Sequence, residues 1–591
     1  MSRKNKSRRI REESRRPLTR FAGPVVILAA AGLAAWPLVQ MGPSCGADFS
    51  FHFVSWIEAQ RSMLAGILYP HWASGPNFGA GEPRFVFYPP LTWMAGALLG
   101  MVMPWREVSV ALVYLLLAAT GFTTRALARH RLSDGPATLA GCASIFLGNM
   151  LVDVYTRSDF GELAGGFWIP LLLLFQLRDR SPGGTRLARV LEGAAPLALV
   201  VAGIWLTNGP LGIMASFLLA ATGLVTAGME RSWLPVGRAA FASALGAALA
   251  AVYLVPALGE RGWANFGAAI SEREYVFENG WLFHSHGDPA WTHYDTTVDL
   301  HSWLAVIMCS IAMAMLLVLW KRGVLRAGRA WWIPLALIPV AVLLMQLPVS
   351  EPLWRTLPGL RFLQFPWRWL VLMNAPVAVF FAAAVWVTPL RGRVPILAGC
   401  AILFFLVSGG TWGICNEDCR GADATILSVE QTYGLLGKPE YAPPGIRHAL
   451  LDPNVPGDCE VSALGDTEAA AGQDQKQNGR AFACEGKFSR VSDQPEHKIV
   501  MGTADRAGFL ILRLRSFPAW RLTVNGRRTS AAREENYGLM AVPIPQGPVV
   551  VRVDWATTPD VWAGRWLGLL ALAAIVALWR AGRTPIPPQV S

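Results

Sequence analysis

The chain has 591 residues, of which 53% are hydrophobic and 16% charged, against about 25% charged in a typical soluble domain. Many apolar runs approach the ~20 residues that cross a bilayer, which excludes a string of soluble domains. Much of the net charge of +12 sits between Arg3 and Arg20, directly before an apolar run. This basic tail, 1–20, therefore reads as a cytoplasmic membrane flank and not as a nucleic-acid arm.

The first run, 21–41, is long and lacks a small-residue cleavage pattern, so it is expected to be a retained helix. Further spans are expected near 108–127, 136–154, 163–177, 190–207, 210–228, 239–258, 302–320, 331–348, 369–388, 394–412 and 561–579. The stretch 86–104 is also apolar, but counting it as a span would put the basic loop Arg125–Arg131 and all later basic loops outside. Laying it on the outer surface restores positive-inside parity throughout and suits the Pro89-Pro90 pair. The expectation is an all-α polytopic bundle of about twelve transmembrane helices with both termini in the cytoplasm.

With that parity, the outer regions are 42–107, 155–162, 259–301, 349–367 and 413–559. The spans carry almost no ionisable groups; Asp153 lies at an outer end. Ion-coupled pumps and symporters place charges near mid-membrane, so their absence weighs against that class.

The first outer loop holds Asp48 and His52. Asp48 can cap the helix that follows, and residues four apart share a helical face, so Asp48, His52 and roughly Ser55 line one side. The plainer reading is a capping Asp with an exposed His. Further on come Pro70-His71-Trp72 and the run from Asn77 to Leu91, where Gly and Pro enforce turns. Its aromatics interleave with Glu82 and Arg84 and lead to Tyr88, a mix that suits a sugar or phosphate at an interface and equally an aromatic belt. The loop 259–301 carries His284, His286, Asp288, His293, Asp295, Asp299 and His301, in a spacing that matches no standard metal motif and reads as a solvated loop.

The outer region 413–559 has no long apolar run. Strands are expected at 509–515, 521–524, 539–544 and 549–555, with a hairpin turn at Asn525-Gly526. This is expected to be a small extracytoplasmic β-sandwich-like domain, followed by the last helix and a cytoplasmic tail, 560–591. Cys415–Cys419 and Cys459–Cys484 are the simplest disulfide pairing, with a zinc site as the alternative. Cys142, Cys309 and Cys400 read as core residues within spans, and Cys45 as an outer thiol.

The pattern Gly46-x-Asp48-x-x-x-His52, then Pro70-x-Trp72, then Asn77-x-Gly79-x-Gly81-x-Pro83-x-Phe85-x-Phe87-Tyr88-Pro89-Pro90-Leu91 resembles bacterial membrane proteins labelled 6-pyruvoyl-tetrahydropterin synthase-related. These in turn resemble the YfhO-like group and, more distantly, the GT-C glycosyltransferases. The resemblance extends over most of the membrane region and the outer β-domain. In GT-C enzymes an acidic residue of the first outer loop is essential, and Asp48 matches it. The next loop, Arg157-Ser-Asp159-Phe-Gly-Glu162, resembles an Arg-Gly-x-x-x-Glu element, with Ser158 where relatives have Gly. Ala47 and Trp56 depart from a frequent His and Arg. The segment Gln364-Phe-Pro366-Trp367-Arg368 resembles another family element, with Arg368 placed to meet a lipid phosphate; the plainer reading is a snorkelling arginine. Lys438-Pro-Glu440-Tyr441-Ala-Pro-Pro444 resembles a Glu-Tyr-x-Pro element without an assigned role.

The resemblance implies an inverting transferase in a bacterial cytoplasmic membrane, its site facing outward. It would move a sugar from a polyprenyl-phosphate donor to a glycan, lipid or protein acceptor, without nucleic acid. Asp48 is the expected base, with Asp159 and Glu162 assisting and His52, Glu82, Arg84, Tyr88, Arg157 and Arg368 as substrate contacts. If the reaction needs a divalent metal, Mg or Mn, Asp48 and Asp159 are its expected ligands. A lipid or polysaccharide flippase and a catalytically silent assembly protein are the competing functions.

Overall fold

A computed structural model of the chain describes residues 17–43, 46–147, 149–178, 185–191, 193–326, 328–415, 436–455, 457–461 and 487–581. The basic tail through Arg16 lies outside them, as do Cys45, Cys419 and Cys484.

Every stretch expected to span is helical. Among the described residues, seven helices are long and apolar enough to cross a membrane, including Trp105–Ala128, Gly209–Glu230 and Pro559–Arg580. Three more qualify only as bent pairs, and Phe160–Gln176 and Ala194–Thr207 are shorter. The chain is thus a multi-pass membrane protein by the length and apolarity of its helices.

Two of the expected spans, 239–258 and 331–348, are sharply bent. Leu234–Leu249 and Ala251–Gly259 meet at 76°, and Arg329–Leu344 and Pro348–Thr356 at 99°. Pro348 has no N–H to continue the earlier helix. On the other bent segment the Tyr253 hydroxyl donates to the Phe87 carbonyl at 3.0 Å, tying the bend to the first outer loop. The doubtful stretch 86–104 forms only the short helices Arg84–Phe87 and Pro90–Gly100. The longer has 11 residues; at about 1.5 Å per residue it is far shorter than the ~30 Å hydrocarbon core.

The C-terminal region builds two antiparallel sheets. One orders Cys459–Val461, Gly508–Arg515, Leu539–Ile544 and Ala532–Arg533. The other orders Lys487–Gln494, His497–Ala504, Gly547–Trp555, Trp520–Val524 and Arg527–Thr529. Asn525 and Gly526 have φ of 50° and 80°, as a two-residue hairpin turn requires. Leu510, Leu512 and Leu514 of one sheet share a buried cluster with Val549, Val551 and Val553 of the other. Burial alternates along the last strand, the period-2 pattern of a one-sided sheet. Cys459 is disulfide-bonded, while Cys142, Cys309 and Cys400 are free.

The first outer loop docks on these sheets. Trp72 packs against Trp520 and Trp555, with ring centroids 5.3 and 5.8 Å apart. The Arg515 N–H donates to the Ala80 carbonyl at 2.9 Å.

Candidate functional site

The helix Phe49–Leu64 begins just after Asp48. Asp48 stands at its N-cap, but its side chain makes no capping hydrogen bond, contrary to the sequence expectation. The loop is fixed instead through its backbone. The Asp48 N–H donates to the Arg157 carbonyl at 2.8 Å and that of Ala47 to Thr156 at 3.3 Å. A Cβ on Gly46 would stand 2.6 Å from the Arg157 carbonyl carbon, so only glycine permits this approach. The loop before Phe49–Leu64 and the loop 155–162 therefore meet, as a shared site requires.

Arg157 is the centre of that meeting. Its guanidinium lies 2.5 Å from Glu162, 3.1 Å from Asp159, 3.4 Å from Asp153 and 3.7 Å from Asp48. Asn149 bridges Asp153 and Glu162 at 2.8 and 3.4 Å. Ser158 follows in the left-handed region with φ of 53°, a conformation that glycine adopts more readily than serine. Asp159 then caps the next helical turn, accepting the Glu162 N–H at 2.9 Å.

His52 lies one turn beyond Asp48. Its Nδ1 shares a 2.7 Å hydrogen bond with the Tyr88 hydroxyl, and its Nε2 is 3.7 Å from Asp159 Oδ1. Burial pushes the Tyr88 phenol well above its usual range, and the charges of Asp159 and Asp48 add to this. Tyr88 thus stays protonated in this contact. Burial also opposes the charge on Asp159. The His52 hydrogen bond and the Arg157 and Arg368 charges outweigh it and hold the carboxyl well below the ordinary range.

A cavity of about 510 Å³ opens over this network. Of the expected residues, Asp48, His52, Tyr88, Arg157, Asp159 and Arg368 line it. Glu162 does not; it lies behind, bonded to Arg157 and 3.5 Å from Arg368 Nε. Glu82 and Arg84, expected as substrate contacts, are also absent from the wall. They are 0% and 1% exposed and pair with each other at 2.7 Å. The covering surface comes from distant sequence, because Glu82 Oε2 accepts the Lys438 N–H at 3.0 Å.

The metal assignment does not fit the donor set. Asp48 and Asp159 face the Arg157 guanidinium at 3.7 and 3.1 Å, and Asp159 is hydrogen-bonded to it. Among the described residues no group of three or more His, Cys, Asp or Glu is arranged to hold a metal. The His/Asp loop is ordered by its own contacts: His286 pairs with Asp295 at 2.6 Å and stacks on Trp291 at 3.8 Å.

The cavity wall also holds residues not among the expected site residues, including Tyr275, His293, Lys438 and Glu440. The only signal for the last two was the Lys438–Pro444 element, which had no assigned place. Burial pushes the Glu440 carboxyl above its usual range despite Lys438. Burial likewise raises Tyr275, to about 12, with Glu440 and Glu272 adding.

No protein-family model matches the chain, and no characterised protein matches it in sequence. The likeness to the pyruvoyl-tetrahydropterin-synthase-related group thus rests on the loop motifs alone. Solved structures of GT-C glycosyltransferases are similar at low identity. The apo oligosaccharyltransferase of Archaeoglobus fulgidus is 13% identical with a TM-score of 0.39, over 72% of this chain and 57% of that one. The arabinofuranosyltransferase AftD from Mycobacteria is 12% identical with a TM-score of 0.43, over 91% and 57%. ArnT from Cupriavidus metallidurans, bound to undecaprenyl phosphate, is 15% identical with a TM-score of 0.29, over 61% and 77%. The chain spans a little over half the length of the first two.

Proposed function

We propose that the chain is a membrane glycosyltransferase using a polyprenyl-phosphate sugar at the outer face of a bacterial cytoplasmic membrane. The acceptor oxygen attacks the anomeric carbon, the bond from that carbon to the phosphate oxygen breaks, and polyprenyl phosphate leaves. The acceptor proton passes to Asp48.

One observation carries this reading. Of the four carboxylates around Arg157, Asp48 and Asp159 line the cavity, and of these Asp48 has the exposed side chain, 41% against 8%. Among the described residues it accepts no hydrogen bond, its nearest cation standing 3.7 Å away. Asp153, Asp159 and Glu162 are buried and hydrogen-bonded to Arg157. A base must be free to take a proton, and Asp48 alone of the four meets that need. Arg157, outnumbered by carboxylates, serves to hold the loops, while Arg368 on the cavity wall is the phosphate contact.

The lipid carrier also has a place. An apolar cleft of about 240 Å³ lies between the helices Gly209–Glu230 and Arg329–Leu344. Leu360 and Trp369 line the cleft, and Phe365 and Arg368 line the cavity, so one stretch of chain borders both. A prenyl tail in the cleft would present its phosphate beside Arg368. The flippase alternative wants charged groups through the bundle, whereas the Arg157 cluster gathers them at the expected outer end.

The test is sugar transfer from a polyprenyl-phosphate sugar by purified Asp48→Asn protein. Transfer is expected to fall by roughly 10²-fold or more, with the melting temperature unchanged because the side chain caps nothing. Full transfer by that variant sinks the assignment.

A further inference from the structure

The Lys438–Tyr441 element reaches the cavity without having been given a task. It is held from both sides. The Lys438 N–H donates to Glu82 at 3.0 Å, and the Ala442 carbonyl accepts from Asn265 at 2.9 Å. Gly437 passes so close to Asn77 that a Cβ would stand 2.1 Å from its side-chain oxygen. Tyr441 is buried and stacks on Phe87, with centroids 6.2 Å apart. The backbone of this segment is therefore fixed, while the Lys438 side chain is left to face the cavity.

Its ammonium lies 5.5 Å from the centroid of the Phe51 ring, which also lines the cavity. Among the described residues no oxygen accepts a hydrogen bond from it. The Arg368 Nε is in the same condition, buried and without a hydrogen-bond partner, its nearest carboxylate oxygen 3.5 Å away. Asp48, Glu274 and Glu440 face the same cavity, so its walls are mixed in charge. Arg157, the third cation there, is engaged by carboxylates.

We propose that Lys438 and Arg368 together form the phosphate-binding site of this cavity, Lys438 being a substrate contact supplied from beyond the bundle. The inference rests on the glycosyltransferase reading for the nature of the lipid, but not for the presence of a phosphate. Lys438, which has no hydrogen-bond acceptor among the described residues, and Arg368, held at Nε only by a 3.5 Å ion pair with Glu162, come from distant segments to one partly buried cavity, and the two fit an anionic oxygen group. The sealed Glu82–Arg84 pair then acts as a positioning device, since it holds the backbone that carries Lys438.

The experiment measures binding of decaprenyl phosphate and of decaprenol to the full-length protein in detergent, read by tryptophan fluorescence. Lys438→Met is expected to weaken decaprenyl phosphate about tenfold or more, as loss of a charge-assisted bond does, and to leave decaprenol unchanged. Lys438→Arg should keep the phosphate preference. Thermal unfolding should not distinguish Lys438→Met from wild type, because the anchors are backbone groups. An undiminished preference for the phosphate in Lys438→Met, or equal weakening of both lipids, overturns the proposal. Displacement by inorganic phosphate at comparable concentration keeps the site but changes its ligand from a lipid headgroup to free phosphate. Binding requires no turnover. Lys438-dependent binding with normal transfer by Asp48→Asn would therefore remove the base and spare this site.

Discussion

Two arginines of the outer face, Arg84 and Arg157, are both buried and both paired, yet they do opposite things. Arg84 meets one carboxylate, Glu82, in a sealed pair, with Ser55 as a further partner at 3.1 Å and Phe51 beneath its guanidinium. Charge is balanced one to one, and nothing is left over for a ligand. Arg157 meets four carboxylates within 3.7 Å. There the negative charge is in excess, and the least engaged member, Asp48, is also the most exposed of the four. A balanced buried pair fixes structure, whereas an unbalanced cluster leaves one group with chemistry to do.

The comparison breaks most visibly when Arg157 is removed. Arg157→Met leaves three buried carboxylates without their cation. Destabilisation of at least about 3–5 kcal/mol is expected from such a change, measured as lost thermal stability of the purified protein together with lost transfer. Near-wild-type stability would mean the cluster does not organise the loops.

Removing one partner of the other pair, by Arg84→Met or Glu82→Leu, is expected to cost about the same 3–5 kcal/mol. Here the double variant should recover a coupling of roughly 1–3 kcal/mol, because neither charge is then left unpaired. Arg157 has no equivalent single rescue. A double variant as unstable as the sum of both singles would erase the distinction.

A smaller, pH-dependent effect is expected at Glu440. Its folded pKa is raised above the unfolded value, so its contribution is fully present below about pH 4.3. It is lost as pH rises through the folded value. Glu440→Gln should thus match wild type near pH 4 and melt higher than wild type as pH rises toward neutrality. A difference in melting temperature that stays constant with pH would contradict this.

The smallest expected effect on stability is that of Asp48→Asn, within about 0.5 kcal/mol of wild type. It should nevertheless lose transfer. A large loss of stability would show Asp48 to be a structural member of the cluster, like Glu162.

Much of this was legible from local spacing. Asp48 and His52 lie on one helical face because a helix repeats every 3.6 residues. The Asn525-Gly526 turn was readable because few residues tolerate positive φ in succession. Arg157, Asp159 and Glu162 stand close in sequence, and their mutual contacts follow from one short turn. The loop motifs marked Asp48 and Arg368, which both reach the cavity.

Tertiary structure decided the rest. Glu82 and Arg84 sit in a Gly- and Pro-rich stretch that reads as a surface loop, and they are buried only because 437–442 and the strand Gly508–Arg515 cover that loop. The same covering brings Lys438 to a cavity whose other walls lie about 70 to 390 residues away in the chain, at Arg368 and Asp48. The sequence by itself determined the apolar spans, the strands and the reactive loops, since these depend on neighbours a few residues apart. Which charged group was sealed and which was left open depended on long-range packing, and no local pattern encodes that.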